Sequence, residues 1–198
     1  MKLFTQKYKF LSLFVVLVIV FSFLPVTPVQ AASITPTLEA FSASLKKSDA
    51  SQLTGVFVNN VIALKVVQQP SAAYVSNLAG TVTQFGMASQ FGSTGLLAHN
   101  YLSGASFSKL GSGTEIILIY GDGSTKKYQV TAVKKYQAMS PTDPYSNFVN
   151  LDNPDATLTS TDVFNETYGS GALVLQTCIS KNGNSTWGRL FIIASSAG

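Results

Sequence analysis

The chain has 198 residues, of which 46% are hydrophobic and only 11% charged, against about a quarter charged in an ordinary soluble domain. The length suits one well-cored domain, and the composition excludes both a disordered tail and an ion-pair-laced helical bundle. The formal net charge of +4 is no nucleic-acid signal. Three of the lysines stand in the first 31 residues, which hold no acid, and the remainder carries ten basic against nine acidic residues.

Lys2, Lys7 and Lys9 precede an apolar run over 10–24 that only Ser12 and Ser22 interrupt. Pro25 and Pro28 break it, and Val29-Gln30-Ala31 supplies the small residues that suit cleavage before Ala32. This order predicts a secretory signal peptide over residues 1–31; the run falls short of the about 20 apolar residues of a spanning helix. Left uncleaved, the segment would tether the chain to a membrane. In either case the working domain is expected outside the cytoplasm, secreted or extracellular.

Ile34, Leu38, Phe41 and Leu45 recur at helical spacing, with Thr35 placed to cap and Pro36 at the first helical position, so 32–54 reads as an N-terminal helical segment. Over 55–198 the texture changes to short β-branched and aromatic runs between turn residues. Strands are expected near 56–58, 61–67, 81–86, 94–99, 115–120, 125–134, 172–179 and 189–194. Tyr120-Gly121-Asp122-Gly123-Ser124 is a hairpin signal with Asp-Gly at the turn. Short strands with frequent turns predict an all-β sandwich or closed barrel, not βαβ units. Residues 137–160, with three prolines and with Asp143, Asp152 and Asp155, read as a long polar connection. A short helix over 161–168, capped by Ser160 or Thr161 and stopped by Gly169, should follow. The three aspartates lack the spacing of a known calcium loop.

The chemistry is concentrated in very few residues. The chain has one Cys (Cys178), one His (His99) and one Arg (Arg189). A lone cysteine makes no internal disulfide, and one Cys with one His cannot build a four-ligand zinc site. Neither G-x-x-x-x-G-K nor G-x-G-x-x-G occurs, so no nucleotide cofactor is indicated. Along 172–179, Leu173, Leu175, Thr177 and Ile179 share one face, and Val174, Gln176 and Cys178 the other. The first set is the more apolar and is expected to face the core, leaving Cys178 pointing away from it. Residues 180–188 read as a loop arching above the strand ends. If the flanking strands pair antiparallel, Cys178 and Arg189 become neighbours at one rim. A guanidinium there could favour a thiolate or donate to a developing oxyanion. His99 ends its own apolar run, 79 positions from Cys178. Thiol, imidazole and guanidinium are together the parts of cysteine-based acyl transfer.

Leu97-Ala98-His99, the strand end Val174-Leu175-Gln176-Thr177-Cys178 and Gly188-Arg189-Leu190-Phe191-Ile192 resemble the sortase family in order and spacing, over about Gly55 to Ala194. The resemblance implies a closed eight-stranded β-barrel with one or two short helices. It also implies a cysteine transpeptidase that cuts a peptide sorting signal and joins the acyl half to an amine. By position, Cys178 would be the nucleophile, His99 the acid/base and Arg189 the oxyanion donor, with Thr177 a supporting, substrate-binding position. No cofactor and no metal are implied; the partners would be the sorting-signal peptide and the amine acceptor. Valine replaces the first Thr of the family's T-L-x-T-C, and glutamine fills its variable position. A hydrolase using the same residues with water as acceptor, and a secreted β-barrel binding module with an inert Cys178, are the alternative readings.

Overall fold

The computed structural model describes residues 35–197; the predicted signal segment lies outside them. Ten strands follow in chain order: β1 (Leu53–Val58), β2 (Ile62–Gln68), β3 (Thr81–Phe85), β4 (Thr94–Leu97), β5 (Glu115–Tyr120), β6 (Thr125–Ala138), β7 (Phe148–Asn150), β8 (Asn153–Leu158), β9 (Leu173–Lys181) and β10 (Asn184–Ser196). Helix α1 (Leu38–Ala43) precedes them and α2 (Ser160–Tyr168) separates β8 from β9. Two 3-10 segments, Gly86–Phe91 and Ser103–Lys109, flank β4. The pairing order is β10-β9-β4-β3-β2-β1-β5-β6, and β6 pairs again with β10, so eight strands close into a barrel. The expected architecture is therefore present. Two neighbours, β2 with β3 and β4 with β9, run parallel, and the other pairings are antiparallel.

Alternation along each strand builds two apolar layers. Residues such as Val56, Leu96, Phe107, Leu118, Leu175 and Ile192 fill the interior and are fully enclosed. On the outer face, Val174, Phe191, Tyr136 and Phe148 pack under Val163 and Tyr168 of α2. Val174 is thus as buried as Leu175. The Leu173/Leu175/Thr177 face is the barrel interior, as its pattern predicts, but the opposite face is also covered over much of its length. Against β1 and β5, Phe41 of α1 and Leu45 just after it pack on Phe57, Ile117 and Ile119.

Four expectations need correction. The cap of α1 is Thr37, whose side chain accepts from Ala40 N, and not Thr35; Pro36 precedes the helix, which starts two residues later than its spacing suggests. For α2 the cap is Thr159, in a reciprocal box with Asp162: each accepts from the other's backbone N–H, at 3.1 and 2.9 Å. Gly169 ends α2 with right-handed backbone, and Gly171 makes the left-handed turn. The polar stretch 137–160 contains the β7–β8 hairpin, added to the end of β6; Pro154 is tolerated because β8 is an edge strand. Finally, 180–188 is no arching loop. β9 and β10 continue as strands to a two-residue turn at Asn182-Gly183, both with positive φ (51° and 78°). That is the geometry of an Asn-Gly hairpin turn.

Candidate active site

The site is built from the register of three adjacent strands. In the antiparallel β9–β10 ladder Arg189 stands directly opposite Cys178, so the two side chains leave the same face. In the parallel β4–β9 ladder Leu97 pairs with Gln176. Beyond it, Ala98 N donates to Gln176 O (3.2 Å) and the Thr177 hydroxyl donates to Ala98 O (2.8 Å). The ladder ends there, so His99 follows Ala98 just beyond β4, beside the segment of β9 that carries Thr177 and Cys178. The three residues singled out in the sequence are therefore drawn into one row, Cys178 and Arg189 in register on β9 and β10 and His99 just past the end of β4.

Each member of the row is held differently. Cys178 is a free, half-buried thiol. His99 is fixed mainly through its backbone: its carbonyl accepts from Leu102 N and Gly104 N, both at 3.0 Å. Its ring stacks on Tyr101, centroids 5.0 Å apart. Gly104 is needed for this close approach, since a Cβ there would lie 2.7 Å from His99 O and closer still to Thr177 Oγ1. Arg189 donates to three main-chain carbonyls, those of Thr186 (2.9 Å), Gly188 (3.0 Å) and Pro141 (3.4 Å), and lies over the Phe148 ring. Neither ion pair among the described residues involves it. Its charge is thus oriented by neutral dipoles and not cancelled by a carboxylate. Of its five N–H donors, those not spent on carbonyls remain to serve a ligand.

Thr177 differs from its expected role as a substrate contact. It is 5% exposed and faces the barrel interior, so it supports the His99 segment from behind. Residues that sequence reasoning missed complete the surroundings. The Asn100 carboxamide donates to Ser180 Oγ (2.7 Å) and Ser185 O (2.8 Å), tying the turn after His99 to both arms of the β9–β10 hairpin. The Asn-Gly dipeptide, overlooked above, was the signal for that hairpin; nothing in the sequence marks Asn100 as its tether.

Beside the row, an outer groove of about 580 Å³ runs between α2, the first 3-10 segment and the 141–148 turn. Its walls are largely aromatic, with Phe85, Phe91, Phe148, Phe164, Tyr168 and Phe191, and its polar floor includes Gln176 and Arg189. Exposed Tyr145 and Met87 stand at the rim. Burial pushes the Tyr168 phenol well above its ordinary range. Burial, then the bond to Glu166, does the same for Tyr136. Both remain neutral hydroxyl donors. Among the described residues no cluster of three or more His, Cys, Asp or Glu could hold a metal ion.

The family model for the sortase domain matches residues 58–197, more than half of the chain. No curated protein gives a significant sequence match. Among solved structures, sortase A from Listeria monocytogenes is 18% identical with a TM-score of 0.47, over 76% of this chain and 89% of that one. Sortase E1 from Streptomyces coelicolor is 14% identical with a TM-score of 0.48, over 75% and 90%. Sortase A from Corynebacterium diphtheriae is 16% identical with a TM-score of 0.45, over 77% of this chain but only 63% of its own length. On the family match, which spans His99, Cys178 and Arg189, the chain belongs to the sortases, the cysteine transpeptidases.

Proposed function

We propose that Cys178, His99 and Arg189 carry out transpeptidation on a sorting-signal peptide. The observation that supports this most is the row itself: the chain's only thiol and guanidinium in register on neighbouring strands, the only imidazole just past the end of the next strand, and the guanidinium without a carboxylate partner among the described residues. The Cys178 thiol gives its proton to His99, its sulfur attacks the scissile carbonyl, and Arg189 donates to the oxygen as it gains negative charge. The C–N bond then breaks, His99 gives a proton to the departing amine, and the acyl half remains as a thioester on Cys178. A free amine attacks that thioester, forms the new amide and restores the thiol. Water, as the slower acceptor, releases the acyl half as a carboxylic acid instead and likewise restores the thiol. The aromatic groove beside the row suits the acyl half, which must stay bound while one amine leaves and another enters.

The test is mass spectrometry of the protein incubated with a pooled library of end-blocked peptides. An acyl adduct on Cys178 that an added amine discharges is the expected result. Cleavage that survives Cys178→Ala would overturn the mechanism. The basic, apolar and small-residue order of 1–31 supports export with cleavage before Ala32. N-terminal sequencing of the native protein should begin at Ala32; a membrane-bound chain starting at Met1 would mean a tether.

A further inference from the structure

Gln176 stands two residues before Cys178 on the same face of β9 and lines the groove. Its Oε1 accepts a hydrogen bond from the Tyr168 hydroxyl at 2.7 Å. Tyr168 is 1% exposed and wedged among Phe85, Phe164 and Phe191, so this donor does not move. A planar carboxamide pinned through its oxygen must turn its NH2 group the other way. Among the described residues that nitrogen has no acceptor, and the one buried side-chain polar atom left without a partner is Ser103 Oγ. The Gln176 amide is therefore open to the groove, not sealed beneath it.

Building on the transpeptidase reading, we propose that Gln176 is a substrate-binding residue. Its Nε2 donates to a main-chain carbonyl of the acyl half of the peptide, and Tyr168 acts as the positioning residue that aims it. The aromatic walls accept apolar side chains but offer no hydrogen bonds, so the carbonyls of a bound peptide need donors from the floor. Gln176 and Arg189 sit on adjoining strands of that floor. An extended peptide repeats its carbonyl on one side every second residue, about 6.7 Å apart, the same interval that separates Gln176 from Cys178 along β9. With the scissile carbonyl at Cys178, the carbonyl two residues upstream falls at Gln176.

The experiment uses the best-cleaved member of the end-blocked library, resynthesised, and its analogue in which the amide two residues upstream is reduced to CH2–NH. Wild type, Gln176→Met and Tyr168→Phe are compared, each checked for an unchanged thermal midpoint. Loss of one hydrogen bond should raise KM about three- to tenfold in wild type given the analogue and in Gln176→Met given the ordinary peptide, with kcat within about twofold. Gln176→Met should lose nothing further on the analogue. Tyr168→Phe should shift KM in the same direction by less. Equal KM for peptide and analogue in wild type overturns the inference, whatever the variants do. So does a Gln176→Met penalty of the same size on both substrates. If wild type forms no adduct on Cys178 with any peptide, the transpeptidase reading falls and this inference with it; an adduct formed with unaltered KM values sinks only the role of Gln176.

Discussion

The three carbonyls around Arg189 make it the most constrained charge in the described chain. A lysine could keep the charge but not the geometry, because an ammonium cannot satisfy Thr186, Gly188 and Pro141 together and still face a substrate. Arg189→Lys should therefore lower kcat about a hundred- to a thousandfold, the usual cost of losing an oxyanion donor, while the thermal midpoint changes little. Cys178→Ala should abolish cleavage altogether. Both are read by peptide cleavage beside a melting curve, and an Arg189→Lys enzyme within tenfold of wild type would remove Arg189 from its role. The opposition of Cys178 and Arg189 was legible in advance, since it needs only two strands, their polarity and their separation. Asn100, Tyr101 and the Tyr168–Gln176 pair were not: each acts through a contact that only the folded chain creates, and no local pattern distinguishes such a residue from an ordinary surface amide or phenol.

At the scale of elements, the wall of the groove depends on α2, a nine-residue helix whose first turn is closed by the Thr159–Asp162 box. Thr159→Ala should cost about 1 kcal/mol and about 2–4 °C in the thermal midpoint, with KM rising before kcat falls, because α2 touches the groove and not the row. A loss of kcat alone would show that α2 positions the row as well. The tether from Asn100 to the hairpin belongs to the same scale. Asn100→Ala should reduce kcat severalfold through a looser His99 turn and leave the barrel's melting unaltered. The existence of α2 was readable from its capping residues and its Gly stop, but its cap was misplaced by one or two residues because four consecutive residues, Thr159 to Asp162, all have capping side chains. The β7–β8 hairpin was hidden for a different reason. Its prolines and aspartates look like a connection, and only the exposed edge position of β8 makes Pro154 compatible with a strand.

Over the whole molecule, acid sensitivity should come from carboxylates held below their ordinary range. Burial raises the Glu166 carboxyl, but hydrogen bonds from Lys134 and Tyr136 and the Lys134 charge outweigh it, and its pKa falls below the ordinary 4.5. Hydroxyl and backbone donors from Ser51, Ser124 and Thr159 lower Asp49, Asp122 and Asp162. A pKa depressed on folding contributes stability that is complete above the unfolded value and is lost as pH falls through the folded one. The thermal midpoint should thus hold down to about pH 4.5 and decline below it, and Glu166→Gln should reduce the slope of that decline. An identical slope in the variant would remove Glu166 from the account. Strand texture made an all-β sandwich or barrel legible, and the resemblance to the sortases selected the closed barrel. Its closure by β6 against β10 and its parallel β4–β9 pairing were not, because they join segments about 50 to 80 residues apart that carry no mutual mark in the sequence.

The parallel β4–β9 ladder, past whose end His99 and Cys178 follow, also bears on the order of folding. Parallel neighbours cannot be joined by a tight turn, so this pair forms only after the whole intervening chain, including the β5–β6 hairpin and α2, has been gathered in. Loop closure of that length makes it a late and slow contact. Reactivity is then the final product of folding: an unfinished chain carries its thiol without its imidazole, and Cys178 should gain acylating power in the slowest refolding phase. The sole tryptophan, Trp187, stands in β10 against Lys181 at 4.5 Å. Its fluorescence should report the nearby hairpin earlier, as a separate and faster phase.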